Sequence, residues 1–203
     1  MGSTDPQRDL DEQWRELFEG LADMFAADSS NVRHRSRAPA VLSPQFQSVV
    51  QYLPAALADV PAATASVCAS LTALQGALHW RQNTNYIDIG FLRSYAYCEL
   101  LGPSGHWRSE RLSLGLLLLG PRLTYPDHVH PATEIYVVLS GHAQWRQGAR
   151  PWQDQPPASV VTHASMEPHA MRTGVEPLLA AYLWRDHLHE PARLLEWSGD
   201  ERR

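Results

Sequence analysis

Three side chains able to bind a metal, His128, His130 and Glu134, fall within one seven-residue window of the stretch TYPDHVHPATEIYVVLSG. On a strand, residues two apart project to the same face, so His128 and His130 point together. Pro131 bends the chain. Glu134 then opens the run EIYVVLSG, in which Glu134 and Tyr136 again share a face. Folding the two runs together across the bend brings imidazoles, a carboxylate and a phenol to one place. Mixed imidazole and carboxylate ligation suits one divalent transition metal (Zn, Fe, Mn, Co or Ni) and leaves positions open for water or substrate. Any one of these histidines alone reads as a surface or structural residue. The joint spacing, bounded by Gly120 and Gly141 and flanked by apolar alternation, carries the weight.

Elements able to position such a set are legible around it. From about Tyr86 onward short β-type runs recur between Gly, Pro and Asp: FLRSYAYCELL, RLSLGLLLLG, EIYVVLSG, HAQWRQG, ASVVTHA and LLAAYLW. Their connections are too short for crossover helices, which predicts an antiparallel barrel or sandwich. The N-terminal third reads differently. Trp14, Leu17, Phe18, Leu21, Met24 and Phe25 recur at helical steps and form one apolar stripe. Ser43 with Pro44 predicts a second helix toward Leu57, and Pro61 a third through Leu71 and Leu74. DSSNVRHRSRAPA between the first two reads as a polar linker, with Asn31 to Ala38 a candidate lid. The expected organisation is a helical extension over residues 1–85 packed on a mostly-β barrel over 86–203. The extension is expected to cap the barrel mouth or to form a homodimer contact.

Composition excludes several classes. Lysine is absent, all seventeen cations are arginine, and the net charge of −5 offers no basic patch, so nucleic acid is not expected as a partner. The longest apolar run, around Leu116 to Leu119, is far too short to span a bilayer, and no apolar leader opens the chain; a soluble, cytoplasmic protein is expected. Cys68 and Cys98 lack metal-ligand spacing and sit in apolar surroundings, the pattern of buried thiols.

The segment from Gly120 to Gly141 resembles the first motif of the cupin superfamily: glycine, a spacer, His-x-His, three or four residues, glutamate, six residues, glycine. His130 to Glu134 and Glu134 to Gly141 have the family spacing; Gly120 to His128 is two residues longer. Cupins take a last histidine from a second motif one hairpin later, and His163 and His169 both follow the hairpin here. His169, in the string PHAMR, is the preferred ligand, and His163 reads as a loop or rim histidine. That second motif lacks its usual glycine and asparagine. The resemblance implies a jelly-roll barrel with His128, His130, Glu134 and His169 around the metal.

Tyr125 before the histidine pair, Tyr136, the PHAMR string, Trp184 and the helical third together resemble the cupin-type dimethylsulfoniopropionate (DMSP) lyases of marine bacteria. That resemblance implies cleavage of a small zwitterionic carboxylate to dimethyl sulfide and acrylate. A base removes the proton α to the carboxylate while a metal stabilises the charge that develops. Tyr125 is taken as the base and Tyr136 as a metal-proximal phenol, with the reverse assignment left open. Tyr125, His128 and Trp184 are the expected substrate contacts, because a sulfonium has no hydrogen-bond donors and favours aromatic faces. Arg172 is either a carboxylate partner or a surface residue, whereas Trp145, Trp152 and Met171 read as packing. An Fe(II)-dependent cupin oxygenase and a non-enzymatic small-molecule-binding cupin are the competing readings of the same ligand set.

Overall fold

The computed structural model of the chain describes residues 6–33, 42–43, 45 and 47–195. The strands are β1 (Tyr95–Gly102), β2 (Trp107–Arg108), β3 (Leu112–Leu119), β4 (Thr124–Val129), β5 (Thr133–Ser140), β6 (Ala143–Gln147), β7 (Gln153–Gln155), β8 (Val160–His163), β9 (His169–Thr173), β10 (Leu178–Arg185) and β11 (Arg193–Leu194). They form a six-stranded sheet, β2-β1-β3-β10-β5-β8, and a five-stranded sheet, β11-β4-β9-β6-β7. Pairing is antiparallel except for the two-residue contact of β2 with β1. The result is a mostly-β jelly roll with N-terminal helices, as expected.

The two-residue period of the strands explains the layering. In β3 all eight residues are buried. Leu112, Leu114, Leu116 and Leu118 join one core with the helices, while Leu117 and Leu119 join a second core between the sheets. β10 divides the same way: Leu179, Ala181 and Leu183 face the helices, and Leu178, Ala180 and Tyr182 face the interior. An apolar outer face of this size must be covered.

The helices α1 (Pro6–Met24), α2 (Ser29–Arg33), α3 (Leu53–Ala56), α4 (Ala65–Leu74) and α5 (Ile89–Leu92) include that cover. Trp14, Leu17, Phe18, Leu21 and Phe25 form the buried stripe of α1 and its end. Gly20 lets α1 approach α4, since a Cβ there would stand 2.6 Å from Val67 Cγ2. The first four helices contribute nothing to the lining of the interior cavity, so they cover the sheet rather than the barrel mouth.

Three helical boundaries differ from expectation. The linker begins as structure: a 3-10 turn over Ala26–Asp28 leads into α2, Asp28 pairs with Arg185 at the end of β10, and Arg33 binds Glu19 and Asp23 at 2.7 and 2.6 Å. Residues 34–40, with most of the candidate lid, lie outside the described residues. The helix expected from Ser43 is replaced by a Gln45–His79 bridge, a 3-10 turn over Ser48–Tyr52 and the short α3. Pro54 lacks an N–H and is tolerated only in a first turn, so the α-helix cannot extend back through it. The third helix starts at Ala65 because the residues after Pro61 form a turn, in which Thr64 Oγ1 donates to the Leu139 carbonyl at 2.7 Å.

Cys68 and Cys98 are buried and free, and burial pushes their thiols up to about 11 and about 12. Among the described residues no helix is long and apolar enough to cross a membrane.

His106 is buried against Trp14, with ring centroids 5.0 Å apart, and burial together with His79 lowers it to about 4. Because its folded value lies below its ordinary 6.5, its neutral form stabilises the fold above that pH, and this contribution is lost as pH falls toward 4. Equilibrium unfolding of His106→Leu from pH 7 to 4 is therefore expected to show a shallower acid loss than the parent, by on the order of 2 kcal/mol. Parallel curves would refute this.

Candidate active site

Glu134, near the start of β5, faces inward and is 1% exposed. The antiparallel register sets it opposite Trp184 on β10 and His163 on β8. Trp184 Nε1 donates to Glu134 Oε1 at 2.5 Å. That leaves Oε2 facing two imidazoles, His130 Nε2 at 3.0 Å and His169 Nε2 at 3.4 Å. His130 follows β4 and His169 opens β9, neighbouring strands of the five-stranded sheet, whereas Glu134 lies on the six-stranded one, so the cluster spans both sheets. The ligand atoms of His130, Glu134 and His169 all lie within 4.8 Å of one another.

Each of these rings is held from behind. His130 Nδ1 bonds the Ala132 carbonyl at 2.9 Å and His169 Nδ1 the Glu167 carbonyl at 2.8 Å. A histidine that donates its Nδ1–H to a carbonyl presents the Nε2 lone pair forward, as metal ligands do. His169 Nε2 is buried and has no hydrogen-bond partner among the described residues, although it stands near Glu134. Two imidazoles and one carboxylate in this state fit a divalent transition metal.

The electrostatics follow from burial and pairing. Burial lowers His130, but the Glu134 charge and hydrogen bond outweigh it and the net shift is upward. Burial raises Glu134, and His130 and His169 reverse that, holding the carboxyl well below its ordinary range.

His128 is not part of the three-residue group. Its ring lies 4.0 Å from that of His169, with which it pairs across β4 and β9, and its Nδ1 bonds the Pro126 carbonyl at 2.9 Å. Burial first, then His169, keeps it well below the ordinary histidine value. Tyr125 stacks on His128 at 4.0 Å and 5°, and its hydroxyl meets that of Tyr86 at 2.7 Å. Tyr136 points inward on β5 beside Glu134. Burial pushes both phenols well up, reinforced at Tyr125 by Tyr95 and at Tyr136 by the Glu134 charge.

His163 is not a rim residue. It is fully buried on β8 and stacks on His169 at 3.9 Å and 12°. Its Nδ1 lies 3.3 Å from the Gln147 amide nitrogen, which makes Nδ1 the acceptor and Nε2 the N–H. That tautomer leaves it no forward lone pair, in contrast to its neighbours. Arg172 is at the surface, bonding Gln144 at 2.6 Å and lying over Trp152 at 4.5 Å. Trp145 and Met171 are buried in the inter-sheet core.

A cavity of about 270 Å³ opens onto the cluster, lined by His128, His130, Glu134, Tyr125, Tyr136 and Trp184, and also by Tyr95, Tyr97, Glu99 and Tyr182. The last four were not singled out from the sequence. Their signal was the same two-residue period, Tyr95-Tyr97-Glu99 on β1 and Tyr182-Trp184 on β10.

Two facing antiparallel sheets with histidines and a carboxylate converging at one end define a cupin-class protein. Its place within that class comes from comparison. The family model for dimethylsulfoniopropionate lyase matches residues 17–180, and the chain belongs to that family. DMSP lyase DddQ of Ruegeria pomeroyi is 33% identical over 170 residues, covering 80% of this chain and 84% of that protein. The crystal structure of DddQ from the same organism superposes with a TM-score of 0.78 at 25% identity, over 94% of this chain and 100% of that one. A chain from a study of the DMSP lyases RdDddP and RnDddQII shares the fold, with a TM-score of 0.78 at 24% identity over 92% of this chain and 100% of its own.

Proposed function

We propose that the chain cleaves DMSP to dimethyl sulfide and acrylate by β-elimination, at one divalent metal held by His130, Glu134 and His169. The observation that carries this reading is the convergence of three ligand atoms within 4.8 Å, with both Nδ1 atoms tied to backbone carbonyls. Membership of the lyase family and 33% identity to a DMSP lyase support the substrate. When bound, a divalent ion supplies Lewis-acid stabilisation of charge on the substrate carboxylate and favours the phenolate of a nearby tyrosine. The donor set accepts Zn, Fe, Mn, Co or Ni.

In this reading Tyr125 is the base. Its phenolate takes the α-proton, the Cα–Cβ double bond forms, and the β C–S bond breaks with its electron pair leaving on sulfur as dimethyl sulfide. Tyr86, at 2.7 Å, donates its O–H to the phenolate and holds it in place. Stacking on His128 fixes the Tyr125 ring; burial raises the phenol, so its phenolate depends on the bound ion and, once formed, is a strong base. His128, outside the three-residue group, takes the substrate-contact part of its two expected roles. Tyr136 lies next to Glu134 and shapes the metal side. Trp184 both lines the cavity and orients Glu134. Among the described residues, the N-terminal helices serve as cover for the sheet, and Arg81 and Asn83 reach the cavity wall.

Gas chromatography of purified protein with DMSP should detect dimethyl sulfide, with release lost on chelation, restored by metal and absent in Glu134→Ala. Metal-loaded protein that releases none would end the lyase reading. Tyr125→Phe is expected to lower kcat by at least about a hundredfold with KM little changed; an active Tyr125→Phe beside an inactive Tyr136→Phe would transfer the base to Tyr136. Trp184→Phe removes the donor to Glu134 Oε1 and should weaken metal affinity by about 10- to 100-fold in a competition with a metal indicator. Unchanged affinity would deny Trp184 that part.

A further inference from the structure

A second carboxylate faces the same cavity and has no part in the reaction so far described. Glu99, inward on β1, is 9% exposed. Its Oε1 accepts from Ser113 Oγ and its Oε2 from the Ser104 backbone N–H, each at 2.7 Å. Both donors are neutral. Among the described residues no arginine or histidine forms an ion pair with it, unlike Asp28, Asp127 or Glu134. A buried charge without a counter-charge is costly unless something supplies one.

The sheet register surrounds Glu99 with rings. One row across four strands reads Glu99, Gly115, Tyr182, Tyr136; the next reads Ser113, Trp184, Glu134. Gly115 is the reason Tyr182 can occupy that row. A Cβ there would stand 2.5 Å from the Tyr182 hydroxyl and 2.6 Å from its ring, so Tyr182 lies across the glycine toward β1. Tyr97 precedes Glu99 by one strand period, and the Trp184 ring lies 6.4 Å from that of Tyr182. The cavity thus has a metal-ligand end and, on β1 and β10, an end of aromatic faces beside a carboxylate that has no ion pair among the described residues.

We propose that Glu99, with Tyr97 and Tyr182, binds the cationic end of the substrate, so that the site selects a small acid carrying a permanent positive charge at its far end. The inference rests on the lyase reading for the identity of that acid. A sulfonium or quaternary ammonium offers no hydrogen-bond donor, and ring faces beside a fixed negative charge are what hold such a group. The substrate carboxylate then lies toward His130 and His169. Other charged or titratable groups on the lining are Arg81, which bridges Tyr97 through the backbone, and His128, His189 and Glu190. Arg81 opposes a cation, so the preference of the cavity for charge is a direct measure of which group governs that end.

Two acids of the same shape separate the effect of charge from that of size: 3-(trimethylammonio)propanoate and its carbon isostere 4,4-dimethylpentanoate. Calorimetric dissociation constants on metal-loaded protein are expected to favour the cationic acid by about tenfold or more. In Glu99→Gln the cationic acid should lose about that factor while the neutral acid stays within about twofold. Parent protein that binds both acids equally, or the neutral one more tightly, overturns the proposal without reference to any variant. So does an unchanged ratio in Glu99→Gln. Dimethyl sulfide release with no charge preference would leave the lyase and remove the role of Glu99; charge preference without release would do the reverse.

Discussion

A carboxylate at 1% exposure needs donors on both of its oxygens, and the barrel end is organised around meeting that need for Glu134. Oε1 is taken by Trp184 from the neighbouring strand, while Oε2 accepts from His130 Nε2 at 3.0 Å and has the unpartnered His169 Nε2 3.4 Å away. Because His169 belongs to the five-stranded sheet and Glu134 to the six-stranded one, this one group couples the two sheets. The Nδ1 bonds to Ala132 and Glu167 then decide which face of each imidazole looks inward. Without the Trp184 bond both carboxylate oxygens would be free to turn; with it only one is offered to the histidines.

The six-stranded sheet is used on both faces. Its outer face is apolar and covered by the N-terminal helices, which frees the inner face to carry Glu99, Ser113, Glu134, Tyr136, Tyr182 and Trp184. Helices whose described residues do not line the cavity thereby let a sheet with a polar interior still bury a large apolar area. The cavity that results has two unlike ends, one rich in imidazole and one in aromatic rings.

Much of this was legible in the residues. Short β-type runs between Gly, Pro and Asp revealed the strands, and the His-x-His spacing with Glu134 pointed to the cluster. The preference for His169 over His163 rested on the PHAMR string, which leads into the β-type segment ending at Trp184. The structure supplies a physical distinction, since Gln147 turns the His163 ring to the opposite tautomer. What sequence did not reveal depends on partners distant in the chain. The start of α4 is set by the Thr64 bond to Leu139, and the helical order after Asp28 by Arg185. Glu99 is the one acid in the run FLRSYAYCELL and was not singled out, because its meaning appears only when β3 brings Gly115 beside it and β10 lays Tyr182 across.

The central claim is that His130, Glu134 and His169 together hold a single divalent ion. Anomalous diffraction from crystals of metal-loaded protein, recorded on either side of the metal's absorption edge, addresses it directly. One peak within bonding distance of His130 Nε2, Glu134 Oε2 and His169 Nε2 is the result this account predicts. A peak elsewhere, or none at full metal loading, would contradict it.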